Sequence, residues 1–369
     1  MKVPFSYLDR QFADLDAYLN DLRQFVPTGD FTLGKPLAEF ERRFAEYCGM
    51  PHAIGVASGT DALILSLRAC GAGPGDEVIT TPTTFVATVG AIVATGAKPV
   101  FVDSEEGFVI DPEKIEPAIT GRTKAIVPVH FSGNLADMPR IESIARRRGL
   151  AVVEDACQAI GGEIDGRPGG SWSAAAAYSL HPLKNLNVWS DGGVITTADT
   201  ALANHLRLYR NHGLINRDEV EIFGVNSRLD TLQAVIGNRL IGQVKWITAR
   251  RIEVAHRYDR AFSDMGDAVR VPPRRAGVKH VFHLYMLRVQ RRDELLAFLN
   301  GRGVEAKVHY PIPMHLQPAS KSLGYKSGDF PVSERDAKCI VTLPAHQHLS
   351  DEEIGYAIDQ VRVFYGRSW

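Results

Sequence analysis

Cysteine is scarce in this 369-residue chain: Cys48, Cys70, Cys157 and Cys339 are the only four, far apart and without a CxxC pair. That spacing excludes a disulfide framework or a zinc ribbon and fits reduced thiols in a cytoplasmic protein. An excess of either charge is missing as well. Lys and Arg number 42 against 43 Asp and Glu, a net charge of -1, so there is no general electrostatic reason to bind nucleic acid or an anionic membrane. Long apolar runs are absent too. The most apolar stretch, residues 86–102, is interrupted by Gly96, Lys98 and Pro99 and is too short to span a bilayer. The opening MKVPFSYLDR turns polar before a signal-peptide core can form. P-loop, GxSxG and HExxH motifs do not occur, and the histidine pairs 309/315 and 346/348 lack a matching carboxylate or thiolate pattern, so no metal is expected.

What is present is an ordinary folding composition, 45% hydrophobic and 23% charged, which excludes a largely disordered chain. Seven short β-branched or small-apolar runs read as strands, at 52–57, 77–81, 98–103, 124–130, 150–155, 175–180 and 192–197. Helical spacing between the earlier ones, as in Ala62, Leu63, Ser66, Leu67 and Cys70, predicts an α/β fold around a mostly parallel seven-stranded sheet. Ligands gather outside the carboxyl ends of such strands. After residue 229 the pattern changes to a long helical stretch, Leu229 to Tyr258. A strand over 280–289, a helix over 292–303 and a last helix over 350–365 follow, the last with Ser350 and Glu353 placed for a capping box. The expected division is a large domain, 1–245, and a smaller α+β domain, 246–369.

Three junctions carry chemistry. Ser58-Gly59-Thr60-Asp61 joins the first strand to its helix and offers N–H groups, a positive dipole end and hydroxyls to a phosphate, although an ordinary N-cap has the same residues. Glu154-Asp155 closes an apolar strand, where a carboxylate either caps the next helix or faces a bound cation. Ser179-Leu180-His181-Pro182-Leu183-Lys184-Asn185 ends a later strand, and a lone lysine there is by default solvated surface. Gly71-x-Gly73-x-Gly75 ends a helix and precedes a strand, opposite to a dinucleotide fingerprint, and reads as a turn. Together, Ser58–Thr60, Asp155, Ser179 and Lys184 supply a phosphate cradle, a carboxylate for a protonated ring nitrogen and an amine for an imine. Those are the parts that pyridoxal 5'-phosphate requires.

The ordered series VEDACQA, SLHPLKNL and DGGVITT, with GDFTLGKPLAEFERRFAEYCG, SGTDAL, GDEVITTPTTF, RNHG, NSRLDTLQA, VFHLYMLRV and HYPIPMHLQP, resembles the DegT/StrS-like sugar aminotransferases along nearly the whole chain. The resemblance implies a fold-type I pyridoxal phosphate enzyme with pyridoxamine phosphate as its alternate form. It implies that Lys184 binds the cofactor and shuttles a proton, and that Asp155 pairs with the ring nitrogen. Gln158 would lie near the phenolic oxygen and Phe85 would stack on the ring. Ser58, Gly59, Thr60 and Ser179 would hold the phosphate, completed by Asn226 from the neighbouring subunit of a homodimer. NSRLD replaces the aromatic-rich stretch usual after that asparagine, and the lysine loop departs from its commoner variants. The implied acceptor is a nucleotide-linked keto-hexose or an octulosonate-type sugar acid, for lipopolysaccharide or related amino-sugar synthesis, with L-glutamate as donor. His309, Tyr310 and His315 are candidates for meeting it. Two alternatives remain at this point: a pyridoxal phosphate-dependent sugar dehydratase, against which the lysine and the scattered cysteines count, and a non-catalytic regulatory protein on the same fold.

Overall fold

A computed structural model describes residues 1–366. The seven expected strands are all present: β1 (His52–Val56), β2 (Glu77–Thr80), β3 (Lys98–Phe101), β4 (Thr123–Ile126), β5 (Ala151–Asp155), β6 (Ala175–Ser179) and β7 (Gly193–Thr197). They form one sheet in the order β1-β7-β6-β5-β4-β2-β3. The run from β3 to β6 is parallel, whereas β7 is antiparallel to both β6 and β1, so β7 alone points against the rest.

Both faces are covered, which is why these strands are apolar almost throughout rather than alternating. Along β6, Ala175 and Ala177 enter a core with Leu63, Ala91 and Ile195, while Ala176 and Tyr178 enter another with Phe40, Phe44 and Val194. The two-residue period of a strand sends neighbours to opposite faces. Helices Gly59–Ala69 and Val86–Thr95 leave the sheet after β1 and β2. Their starts lie at the carboxyl edge, where β5 and β6 also end.

The last third is built around a small antiparallel sheet, β8 (Val269–Arg270), β9 (Tyr285–Val289) and β10 (Ile340–Leu343), with β9 in the middle. Its core takes Tyr258 and Phe262 from helix Val244–Phe262, Leu299 from Arg292–Gly301 and Ile358 from Asp351–Phe364. That last helix carries the expected capping box: Ser350 accepts from the Glu353 N–H and Glu353 from the Ser350 N–H. Val3, fully buried, completes this core from the start of the chain. It bridges in parallel to Val304, donating to the Gly303 carbonyl (2.8 Å) and accepting from the Glu305 N–H (3.0 Å).

Two expectations need correction. The helical stretch 229–258 is two helices, Thr231–Leu240 and Val244–Phe262, joined by a tighter turn at Ile241–Gln243 that contains the poor helix former Gly242. The strand expected over 280–289 is confined to 285–289. Phe282 takes a left-handed backbone (φ 46°) that ends extended geometry, and Val278–Lys279 pairs separately with Glu163–Ile164. Among the described residues no helix is long and apolar enough to cross a membrane.

Candidate active site

A cavity of about 380 Å³ opens at the carboxyl ends of β1, β5 and β6, as the topology requires. At one end lies the start of helix Gly59–Ala69. Ser58 caps it, its hydroxyl accepting from the Asp61 N–H at 3.0 Å. The cap and the cradle are therefore the same structure. The Gly59 and Thr60 N–H groups have no partner among the described residues and point the positive end of an eleven-residue helix at the cavity. Gly59 is needed for space. A Cβ there would stand 2.8 Å from the Ser179 Cβ and 3.0 Å from the Cys157 sulfur. Ser179 closes this end; its Oγ accepts from the His181 N–H (3.3 Å) and keeps its own proton free to donate.

Asp155, at the last position of β5, is 6% exposed and faces the cavity. Its Oδ2 accepts from the Thr88 hydroxyl at 2.7 Å and its Oδ1 from the Cys157 N–H at 3.2 Å. Because Thr88 spends its proton on the carboxylate, Thr84 donates to Thr88 across 2.6 Å. Every one of these partners is neutral. Among the described residues no cation pairs with this carboxylate within 4 Å, which leaves it suited to a protonated ligand nitrogen. The adjacent Glu154 faces the other way. Burial pushes its carboxyl up, but His130 (2.8 Å), Ser173 (2.7 Å) and the Gly170 N–H (2.8 Å) outweigh that and hold it below the ordinary value. Glu154 is thus a strut.

Lys184 stands on the turn after β6, its N–H bonded to the His181 carbonyl at 2.8 Å and its side chain in the cavity. Burial lowers its ammonium pKa against the opposing pull of Cys157 and Asp155. Opposite are Phe85, half exposed, and Tyr310, their ring centroids 5.8 Å apart. His309 bonds Thr342 (2.9 Å) and stacks on Phe5; burial, then Lys307 and Lys184, push it down to about 4. Gln158 also lines the cavity, its amide oxygen taken by the Ser132 N–H at 2.7 Å.

Two of the expected residues lie elsewhere. Asn226 is exposed, bridged to Asn211 on the loop before helix Thr231–Leu240. His315 does not line the cavity: its ring is 2% exposed, packed on Phe330 and bonded through Nε2 to Glu334 at 3.1 Å. Residues to which the sequence assigned no site role also line it, among them Phe5, Tyr7, Thr88, Arg251, His283 and His346. His283 falls within the VFHLYMLRV segment and His346 in a histidine pair already noted, but nothing in either segment set these residues apart as cavity-lining.

Residues 14–362 match the DegT/DnrJ/EryC1/StrS aminotransferase family. The chain belongs to this family. It is 43% identical to a "pleiotropic regulatory protein" of Geobacillus stearothermophilus, the match covering 99% of each chain. It is 39% identical to the dTDP-3-amino-3,4,6-trideoxy-alpha-D-glucose transaminase of Streptomyces venezuelae over 98% of this chain and 96% of that one. Among solved structures, S. venezuelae DesV with a ketimine intermediate superposes with a TM-score of 0.97, at 39% identity and full coverage of both chains. Solved family members carry pyridoxal phosphate or its amine form, and this chain is a pyridoxal phosphate-dependent sugar aminotransferase. Its cavity fits that cofactor: a helix start for the phosphate, a carboxylate without an ion-pair partner among the described residues for the ring nitrogen, and a half-buried amine within the same cavity.

Proposed function

We propose that the enzyme transfers the amino group of L-glutamate to the carbonyl of a nucleotide-linked keto-hexose, in two half-reactions at one site. The observation that carries this is the convergence of Lys184, Asp155 and the Ser58–Thr60 cradle on one cavity, in a chain that runs almost end to end with a nucleotide-sugar transaminase. Bound pyridoxal phosphate supplies the carbonyl that takes up the amine and the ring that accepts electrons. The protein supplies the rest. Ser58, Gly59, Thr60 and Ser179 anchor the phosphate end. Asp155 holds a proton at the ring nitrogen, and Phe85 and Gln158 fix the ring's face and edge. Lys184 Nζ, its basicity lowered by burial, takes the proton from the donor's Cα and returns it across the cofactor. In the second half-reaction the same amine moves the proton onto the sugar carbon. His309, neutral at physiological pH, and Tyr310 meet the substrate hydroxyls as hydrogen-bonding groups.

We further propose a homodimer in which the exposed Asn226 of each subunit reaches the partner's phosphate, and a pathway that ends in a glycan amino sugar. The test of the reaction is direct. Purified enzyme with L-glutamate and a panel of dTDP- and UDP-linked keto-hexoses should release 2-oxoglutarate beyond one equivalent per site only with its own acceptor. Inactivity with every keto-sugar, despite bound cofactor, would instead favour the regulatory reading that the Geobacillus relative's name raises.

A further inference from the structure

The segment that opens the chain runs beneath the catalytic turn. Tyr7 is 3% exposed, and its hydroxyl donates to the main-chain carbonyl of Lys184 at 2.8 Å. The Lys184 N–H is already bonded to His181. Both peptide groups of the lysine are therefore held, and the side chain is left as its moving part. Behind the phenol stands Arg251, 1% exposed, with its Cζ 5.2 Å from the ring centroid. Its Nε bonds the Gln347 amide (3.1 Å) and its Nη1 the carbonyls of Phe282 (3.2 Å), His283 (3.3 Å) and Ala345 (3.0 Å). A guanidinium fixed on four neutral acceptors is a rigid backstop, and no acidic side chain is among those acceptors to draw it away. The phenol also packs against the His346 ring, with centroids 5.2 Å apart.

From this arrangement we infer that Tyr7 is a positioning residue for the amine-transfer reaction: its hydroxyl, braced by Arg251, sets where the Lys184 side chain starts its swing between the two proton-transfer positions. Burial raises the phenol's pKa despite the nearby Arg251, so the group stays a donor at working pH. Val3 and the Val304 bridge anchor the same segment to the small-sheet core. Tyr7 thus ties the lysine turn, on the large sheet, to the smaller one. The inference rests on Lys184 being the reacting amine.

The test is Tyr7→Phe in the cofactor-loaded enzyme, which keeps the ring and removes only the hydroxyl. The kcat should fall about 10- to 100-fold, the loss expected when a reacting group is misplaced by about 1 Å. KM for donor and acceptor should stay within about threefold, because neither is held by the hydroxyl. The pH midpoint of the bound cofactor's visible absorbance should move by about half a unit or more, since the imine nitrogen belongs to the displaced side chain. Arg251→Lys, which keeps the charge and loses the fork, should show the same pattern more weakly. An unchanged kcat and absorbance midpoint in Tyr7→Phe would overturn the inference. So would a loss of activity that tracks only the folded fraction, because that is a stability effect. Borohydride labelling of the unsubstituted enzyme separates the premise: cofactor fixed to a lysine other than Lys184 would remove the functional reading itself.

Discussion

The Thr84–Thr88–Asp155 chain shows how one hydroxyl sets the behaviour of a charge. Thr88→Val keeps the shape but takes one hydrogen bond from the buried Asp155 carboxylate, which is then held less firmly in place. The kcat should therefore fall about 10- to 100-fold, in keeping with roughly 1.5–3 kcal/mol for a bond to a charged group. Asp155→Asn should retain cofactor yet lose about 10- to 1000-fold in kcat, because an amide cannot raise the ring nitrogen's pKa by the one to three units an ion-pair partner provides. Single-turnover absorbance with L-glutamate measures both; a variant within threefold of the parent would reduce Asp155 to a turn residue. Asp155 and Lys184 were legible in the sequence only together: singly the carboxylate reads as a helix cap and the lysine as solvated surface, and the motif series that carries the family resemblance set them apart. Tyr7 and Arg251 were not. One lies in an opening segment with no periodicity and the other on the buried side of a helix, and only folding brings them to Lys184.

At the scale of elements, the seven strands were readable because each is a compact apolar run ended by turn chemistry, and their register needs only the two-residue period. Helix boundaries were readable where a cap marks them, as at Ser350, and not where a helix breaks without a cap, as at Gly242. Ser350→Ala should cost about 1 kcal/mol by removing half of the capping box. Thermal unfolding would register that as a lower midpoint with catalysis unchanged, since no residue of this helix lines the cavity. Gly59→Ala is the opposite case. Its methyl would meet Ser179 and Cys157 at close range, so the start of the helix must shift. Cofactor affinity should drop by about tenfold or more, as expected when one or more charge-assisted bonds to the phosphate are lost. Equilibrium dialysis against pyridoxal phosphate measures it.

At the scale of the whole molecule, buried histidines set the acid limit. Burial pushes His309 down to about 4 and His346 to about 3, against 6.5 in the unfolded chain. The unfolded state therefore binds more protons between those values, so stability that is intact above pH 6.5 is lost as the pH falls toward 4 and then 3. Near pH 5 these two residues should take up about two protons on unfolding, readable as the slope of unfolding free energy against pH. The proposed sharing of sites is tested by mixing Lys184→Ala with Asn226→Ala subunits. A hybrid keeps one site with its own lysine and a borrowed normal asparagine, so activity should return. None would return from proven hybrids if each asparagine served its own subunit. The strand-like pairing of Val3 with Val304 has a consequence for biosynthesis. Residues made first find their partners only after some three hundred others have left the ribosome, so the brace under Lys184 cannot be assembled while the sheet that carries the lysine is emerging. The nascent large sheet can collapse early around its local helices, but the pairing that anchors the Tyr7 segment forms only once residue 304 has been made.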